Sequence, residues 1–183
     1  GVLRLAGVGY PTSYLVPGAA GDGVLVDNPH FGRRFFPPGL LRVPPPTRIQ
    51  PRKAPGTFRV VVLGESAAMG DPKPGYGVAR YLEVLLRERF PERRFEVIPL
   101  AMTAINSHAL VPMAREARLL GADAWVVFAG NNEMLGPFGA GSTLGRSTPP
   151  LPLVRAMLAV KSLRVGQSIE LVAAKVRPVP PKG

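Results

Sequence analysis

A chain of 183 residues with 46% hydrophobic content is long enough for one domain of ordinary size with a real core. The absence of cysteine excludes a disulfide framework and a thiolate metal site, so stability has to come from packing. The 23 Lys and Arg against 12 Asp and Glu give a formal +11 that admits an anionic surface or polymer as partner. The basic residues are scattered, without the aromatic-interleaved pattern of single-strand binders, so nucleic acid is set aside.

Residues 1–56 read as a Pro/Gly-rich amino-terminal arm with no sustained period of 2 or 3.6. Its aromatics, Tyr10, Tyr14, Phe31, Phe35 and Phe36, are too many for a disordered tail and are expected to dock on the domain carboxyl-terminal to them. From Thr57 strand and helix patterns alternate, which predicts a parallel sheet with helices packed on it. Phe58–Leu63 is the first predicted strand. A helix over Gly77–Phe90 places Val78, Tyr81, Leu82, Leu85 and Leu86 on one face and is stopped by Pro91. Phe95–Leu100 is the second strand, His108–Leu120 the second helix with Gly121 as its stop, and Ala124–Ala129 the third strand. A polar stretch to Pro150 leads to a helix over Val154–Val176, closing a domain of residues 57–177, and residues 178–183 form a Pro-rich tail. No stretch approaches the roughly 18 to 20 apolar residues of a spanning helix.

Each predicted strand ends in a turn of small or polar residues: Gly64-Glu65-Ser66, then Ala101 to Asn106, then Gly130-Asn131-Asn132-Glu133. In a parallel sheet those turns share the edge where such sheets place ligands. Ser66 is the candidate nucleophile, against the alternative of a helix or turn cap. The Ser66 and Ala104 amides and the Asn132 side chain are candidate donors to an oxyanion, each typically worth ~2.7–4 kcal/mol. The Gly64–Gly70 turn lacks the Lys-Ser/Thr ending of a phosphate-binding loop, and its Gly-Glu-Ser comes too early for the elbow of an α/β hydrolase. No His or acid cluster has metal-ligand spacing, and no cofactor is expected.

These blocks resemble the SGNH (GDSL-type) hydrolase superfamily over roughly residues 57–141. Gly64-Glu65-Ser66 is similar to the family's Gly-Asp-Ser, with Glu65 in place of the acid, and Gly130-Asn131-Asn132-Glu133 to its Gly-x-Asn-Asp. Ala104 falls where the family has a glycine whose amide donates, a role alanine can fill provided the turn needs no positive φ. The resemblance implies a three-layer α/β/α sandwich of flavodoxin-like type. It also implies an ester hydrolase acting through an acyl-enzyme on a small ester or an acylated carbohydrate or lipid. Residues 130–141 and 101–108 further resemble a bacterial subgroup in which such a domain is preceded by a membrane segment and followed by tetratricopeptide repeats. That likeness implies an anchor upstream of Gly1, a repeat domain downstream of Gly183 and an extracytoplasmic setting for the longer protein.

The final family block, Asp-x-x-His, has no counterpart: no Asp follows Asp123 and no His follows His108. A serine without its base keeps only a residual ~10³–10⁴-fold catalysis over water, so these 183 residues are expected to be nearly inactive. The pair is expected downstream. His108, at the start of a helix, suits a cap or a supporting contact better than a general base, and His30 could reach the site only if the arm folds over it. The competing reading is a catalytically retired domain that binds a ligand or partner on the same edge.

Overall fold

The computed structural model describes residues 5, 7–19, 22–142 and 149–176. The polar stretch before Pro150 falls largely, and the 178–183 tail wholly, outside them. Within them the chain is mixed α/β, built on two small sheets. The parallel sheet has strand order β5-β4-β6, with β4 (Thr57–Gly64) between β5 (Arg94–Ala101) and β6 (Ala124–Phe128). The register pairs Gly64 with both Ala101 and Phe128, so the three strands end level and release their turns at one edge.

Strand β4 is central because it is apolar on both faces. Val60 and Val62 face one cluster, where Ala79, Leu82 and Leu86 of helix α2 (Val78–Arg89) cover the sheet. Val61 and Leu63 face the larger cluster, with Met113, Ala117 and Ala109 from helix α3 (Ser107–Ala117). The expected helices and strands are present, with ends moved by a residue or a few. A further short helix, α1 (Ser66–Met69), occupies what was read as a turn, and the second predicted helix tightens into a 3-10 turn, Arg118–Leu120, before Gly121 stops it in the left-handed conformation.

Two expectations need correction. The Val154–Val176 helix is a hairpin of two, α4 (Leu151–Ser162) and α5 (Arg164–Val176), broken where Leu163 turns extended. Apolar periodicity runs through the break and hides it. At Gly166 a Cβ would stand 2.1 Å from the Val160 carbonyl oxygen, so the tight return requires glycine there. The arm is also more regular than its sequence suggests. Strands β1 (Leu15–Pro17), β2 (Leu25–Asp27) and β3 (Arg48–Ile49) form an antiparallel sheet too short to show a period.

Tyr14, Phe31, Phe35 and Phe36 do dock: all four lie in the larger cluster with Leu63, Leu100 and Met102, while Tyr10 is half-buried. Tyr14 packs edge-on to Phe31 at 5.1 Å and donates from its hydroxyl to the Ala101 carbonyl at 3.2 Å. Burial holds that phenol far above its ordinary pKa, so it remains a donor. Arg59, fully buried, fastens the segment from the sheet side. Its guanidinium pairs with Glu96 at 2.7 Å and donates to the carbonyls of Gln50 and Pro51 at 2.9 and 3.0 Å, and to that of Leu120.

Candidate functional site

The first turn begins with an acid where β4 ends. Glu65 is 1% exposed, and a carboxylate removed from water needs donors. It finds them across the edge: one oxygen accepts from the Gly130 amide and the other from the Asn132 amide, each at 3.1 Å. The carboxylate thereby clamps the third turn to the first. Glu65 is also the N-cap of α1 by position, though its side chain does not cap, and Ser66 is the first helical residue. Ser66 therefore leaves its N–H without a partner inside the helix. Its hydroxyl makes no hydrogen bond among the described residues, and the side chain is partly exposed, so Ser66 does not serve as the cap.

The second turn contains a residue other than glycine in the left-handed conformation. Ala104 has φ +61°, the left-handed region that glycine occupies freely and an L-residue enters at a cost of roughly 1–2 kcal/mol. The condition under which alanine could take the place of the family's glycine, a turn without positive φ, is not met, and Ala104 holds this conformation under strain. The Ala104 N–H makes no hydrogen bond within the described residues. On either side the turn is tied down. Thr103 donates from its hydroxyl to the Asp71 carboxylate at 2.9 Å, joining it to the end of α1. Asn106, 1% exposed, caps α3 by accepting from the His108 amide at 3.3 Å and donates to the Pro137 carbonyl at 2.9 Å.

The third turn closes the ring. The Asn132 side-chain amide donates to the Ile105 carbonyl at 3.0 Å, which fixes its orientation and leaves its second N–H available. Glu133 accepts from both the amide and the hydroxyl of Ser107 at 2.8 Å, holding the start of α3. Ser66, Ala104 and Asn132 are therefore drawn to one edge: Ser66 and Ala104 each stand next to a residue in a turn-to-turn hydrogen bond, and Asn132 makes two itself. What this edge presents is a hydroxyl, backbone N–H groups and an oriented amide, a set that donates to negative charge developing on oxygen.

The histidines lie apart from this arrangement. His108 sets its ring edge-on to Phe138 at 5.5 Å, and no carboxylate bonds its nitrogens among the described residues. It does not cap α3, since Asn106 does. His30 packs at 5.3 Å from Tyr10, where burial and then the Arg33 charge push its pKa down. Neither forms the imidazole–acid pair that a triad uses. No group of three His, Asp or Glu among the described residues could hold a metal ion. A cavity of about 290 Å³ lies under α1 on the α2 side, lined in part by Ala68, Met69, Gly77, Ala79, Arg80 and Val97. Ser66, Ala104 and Asn132 do not line it.

Comparison with protein-family models, with curated proteins and with solved structures finds no match to this chain. Sequence reasoning named Glu65 and Asn106 without giving either its structural role, and it passed over the Thr103–Asp71 contact. For Glu65 there was a usable signal: an acid directly after six apolar or strand-facing positions lies at the buried end of a strand and must meet donors there.

Proposed function

We propose that residues 57–141 are the nucleophile-bearing part of an SGNH-type serine ester hydrolase, a three-layer α/β/α domain whose donors are assembled from three turns. One observation carries the reading: the turn that holds the candidate donor Ala104 is hydrogen-bonded through the Ile105 carbonyl to the Asn132 side chain, so candidate donors from two turns are tied together. In the proposed reaction the Ser66 hydroxyl oxygen bonds to the ester carbonyl carbon while its proton passes to a base. The oxyanion accepts from the amides of Ser66 and Ala104 and from Asn132. Collapse expels the alcohol, and water then releases the acid from Ser66. The substrate is a small ester or an acylated carbohydrate or lipid.

The base must be an imidazole other than His30 and His108, because neither is oriented by an acid. A second reading, a domain that binds at this edge without turnover, is favoured by the two histidines, neither of which pairs with an acid among the described residues. Adding imidazole to the folded chain with p-nitrophenyl acetate separates the two. The hydrolase reading expects an acetyl adduct on Ser66 by mass spectrometry, absent in Ser66→Ala and formed roughly 10²–10³ more slowly in Asn132→Ala. No adduct on Ser66, or equal rates in the parent and Asn132→Ala, overturns it in favour of the binding domain.

A further inference from the structure

Where the amino-terminal segment meets the start of α5, three arginines gather around Tyr10. The backbone there is fixed from the helix side. Gln167, 1% exposed, accepts from the Tyr10 amide at 2.9 Å and donates to the Tyr10 carbonyl at 3.2 Å. Gly9, at φ +81°, lets the two segments come this close: a Cβ there would stand 2.3 Å from Gln167 Oε1 and 2.7 Å from Arg164 Cδ.

The arginines come from two distant parts of the sequence. Arg33 sets its guanidinium over the Tyr10 ring at 5.0 Å, and His30 packs 5.3 Å from the same ring. Arg164 lies beside Gly9, and Arg34 donates to the Thr12 carbonyl only at 3.5 Å. All three are half-buried, and none forms an ion pair among the described residues. The acids that act on them are engaged elsewhere: Glu170 pairs with Lys161 at 2.9 Å, and Glu116 accepts from the Tyr14 and Leu15 amides. Burial and then Glu170 raise the Tyr10 pKa, while Arg33, Arg164 and Arg34, in that order, act to lower it, so three positive charges bear on one hydroxyl. Arg34 Nε is moreover buried with no hydrogen-bond partner among the described residues. Like charges held together under partial burial repel, and donors kept from water without acceptors are costly, so the cluster favours an anion with several acceptor oxygens. A phosphate monoester supplies about −1.5 to −2 charge and three such oxygens, in a geometry that guanidinium forks match, whereas a carboxylate brings a single charge.

We infer that Arg33, Arg34 and Arg164, with the Tyr10 hydroxyl, form a binding site for a phosphate monoester group, carried by a soluble molecule or by a lipid headgroup. This does not depend on the ester hydrolase reading. Two probes test it in about 0.1 M sodium chloride, where steering by the overall +11 is screened. Inorganic phosphate, standing in for the ester, is followed through the amide resonances of Gly9, Tyr10 and Arg33. Vesicles of phosphatidylcholine with or without phosphatidic acid, whose headgroup is a phosphate monoester, are followed by co-sedimentation. Saturable shifts at those amides, absent with acetate, assign a soluble ligand, and sedimentation with phosphatidic acid alone assigns a headgroup. In either case Arg33→Gln with Arg164→Gln is expected to weaken binding roughly tenfold or more with an unchanged circular dichroism spectrum. The same charge loss at the start of β5, Arg93→Gln with Arg94→Gln, leaves it near the parent's. Tyr10→Phe, which keeps the ring under Arg33, is expected to weaken it about threefold or more, and it decides the matter should the double variant lose its fold. No binding to either probe, a folded Arg33/Arg164 variant or a Tyr10→Phe variant that binds like the parent, or acetate bound as tightly as phosphate would overturn the inference.

Discussion

In strand β4 every residue from Arg59 to Gly64 is buried, held by hydrogen bonds to neighbours on both sides and packed on both faces. In the amino-terminal segment the buried residues come in ones and twos: Tyr14 and Leu15, Val24, Asn28, Phe31 and Gly32, Phe35 and Phe36, Pro44, and Ile49. The segment is secured by point contacts. Glu116 accepts from the amides of Tyr14 and Leu15 at 2.9 Å, and Asn28 donates to the carbonyls of Pro11 and Ser13 at 2.8 and 2.7 Å. A strand distributes its stability along its length, whereas this segment concentrates it in a few anchors, so single substitutions should hurt it more.

Phe31→Ala is the strongest test of that contrast. Removing a fully buried ring from the shared cluster should cost about 3–5 kcal/mol in denaturant unfolding and melt the sheet with the segment in one transition. A small loss, or a separate early transition, would mean that the segment only leans on the domain. Next in size, Glu65→Gln should cost about 1.5–3 kcal/mol, because both amides lose a charged acceptor and one of them is left facing an NH2 donor. Amide exchange at Gly130 and Asn132 should quicken more than in β4. Uniform exchange would show that the turns are held by the strands and not by the clamp.

Ala104→Gly should move the other way, stabilising by about 0.5–1 kcal/mol, since relief of the left-handed strain exceeds the added chain entropy. An unchanged or lower melting temperature would remove the argument for a glycine role. The smallest effect concerns Asp123, which joins the two regions by pairing with Lys53 and accepting from the Arg59 amide at 2.7 Å. The Lys53 hydrogen bond, then that of the Arg59 amide, lowers its pKa below the ordinary 3.8. A lowered folded-state pKa contributes stability above the unfolded value, lost as pH falls from about 3.8 through the folded one. Asp123→Asn should therefore lower stability slightly at neutral pH, match the parent in strong acid where the carboxylate is protonated, and so flatten the acid limb of a stability–pH curve.

The parallel sheet was legible because its signals are local. The apolar run Val60–Leu63, the helical face of Leu82 and Leu86, and the stops at Pro91 and Gly121 each act within a few residues. The candidate edge was half legible. Turn composition marked Ser66 and Asn132, but Ala104 was placed only by resemblance to a family block, and its φ of +61° is a property no alanine announces. The hairpin break at Leu163 was missed because its apolar period continues unbroken across it.

The amino-acid order by itself determined that strands and helices alternate after Thr57 and that a hydroxyl, an amide and a small-residue turn follow three strand ends. Only the tertiary structure decided that Glu65 spans from one turn to another, that Tyr14 and Phe31 complete the core, and that both histidines stand without an acid among the described residues. Periodicity and stop signals are set by backbone sterics within a few residues. A buried carboxylate or an isolated aromatic chooses its partner across tens of residues, by where donors and apolar surface meet once the sheet has formed.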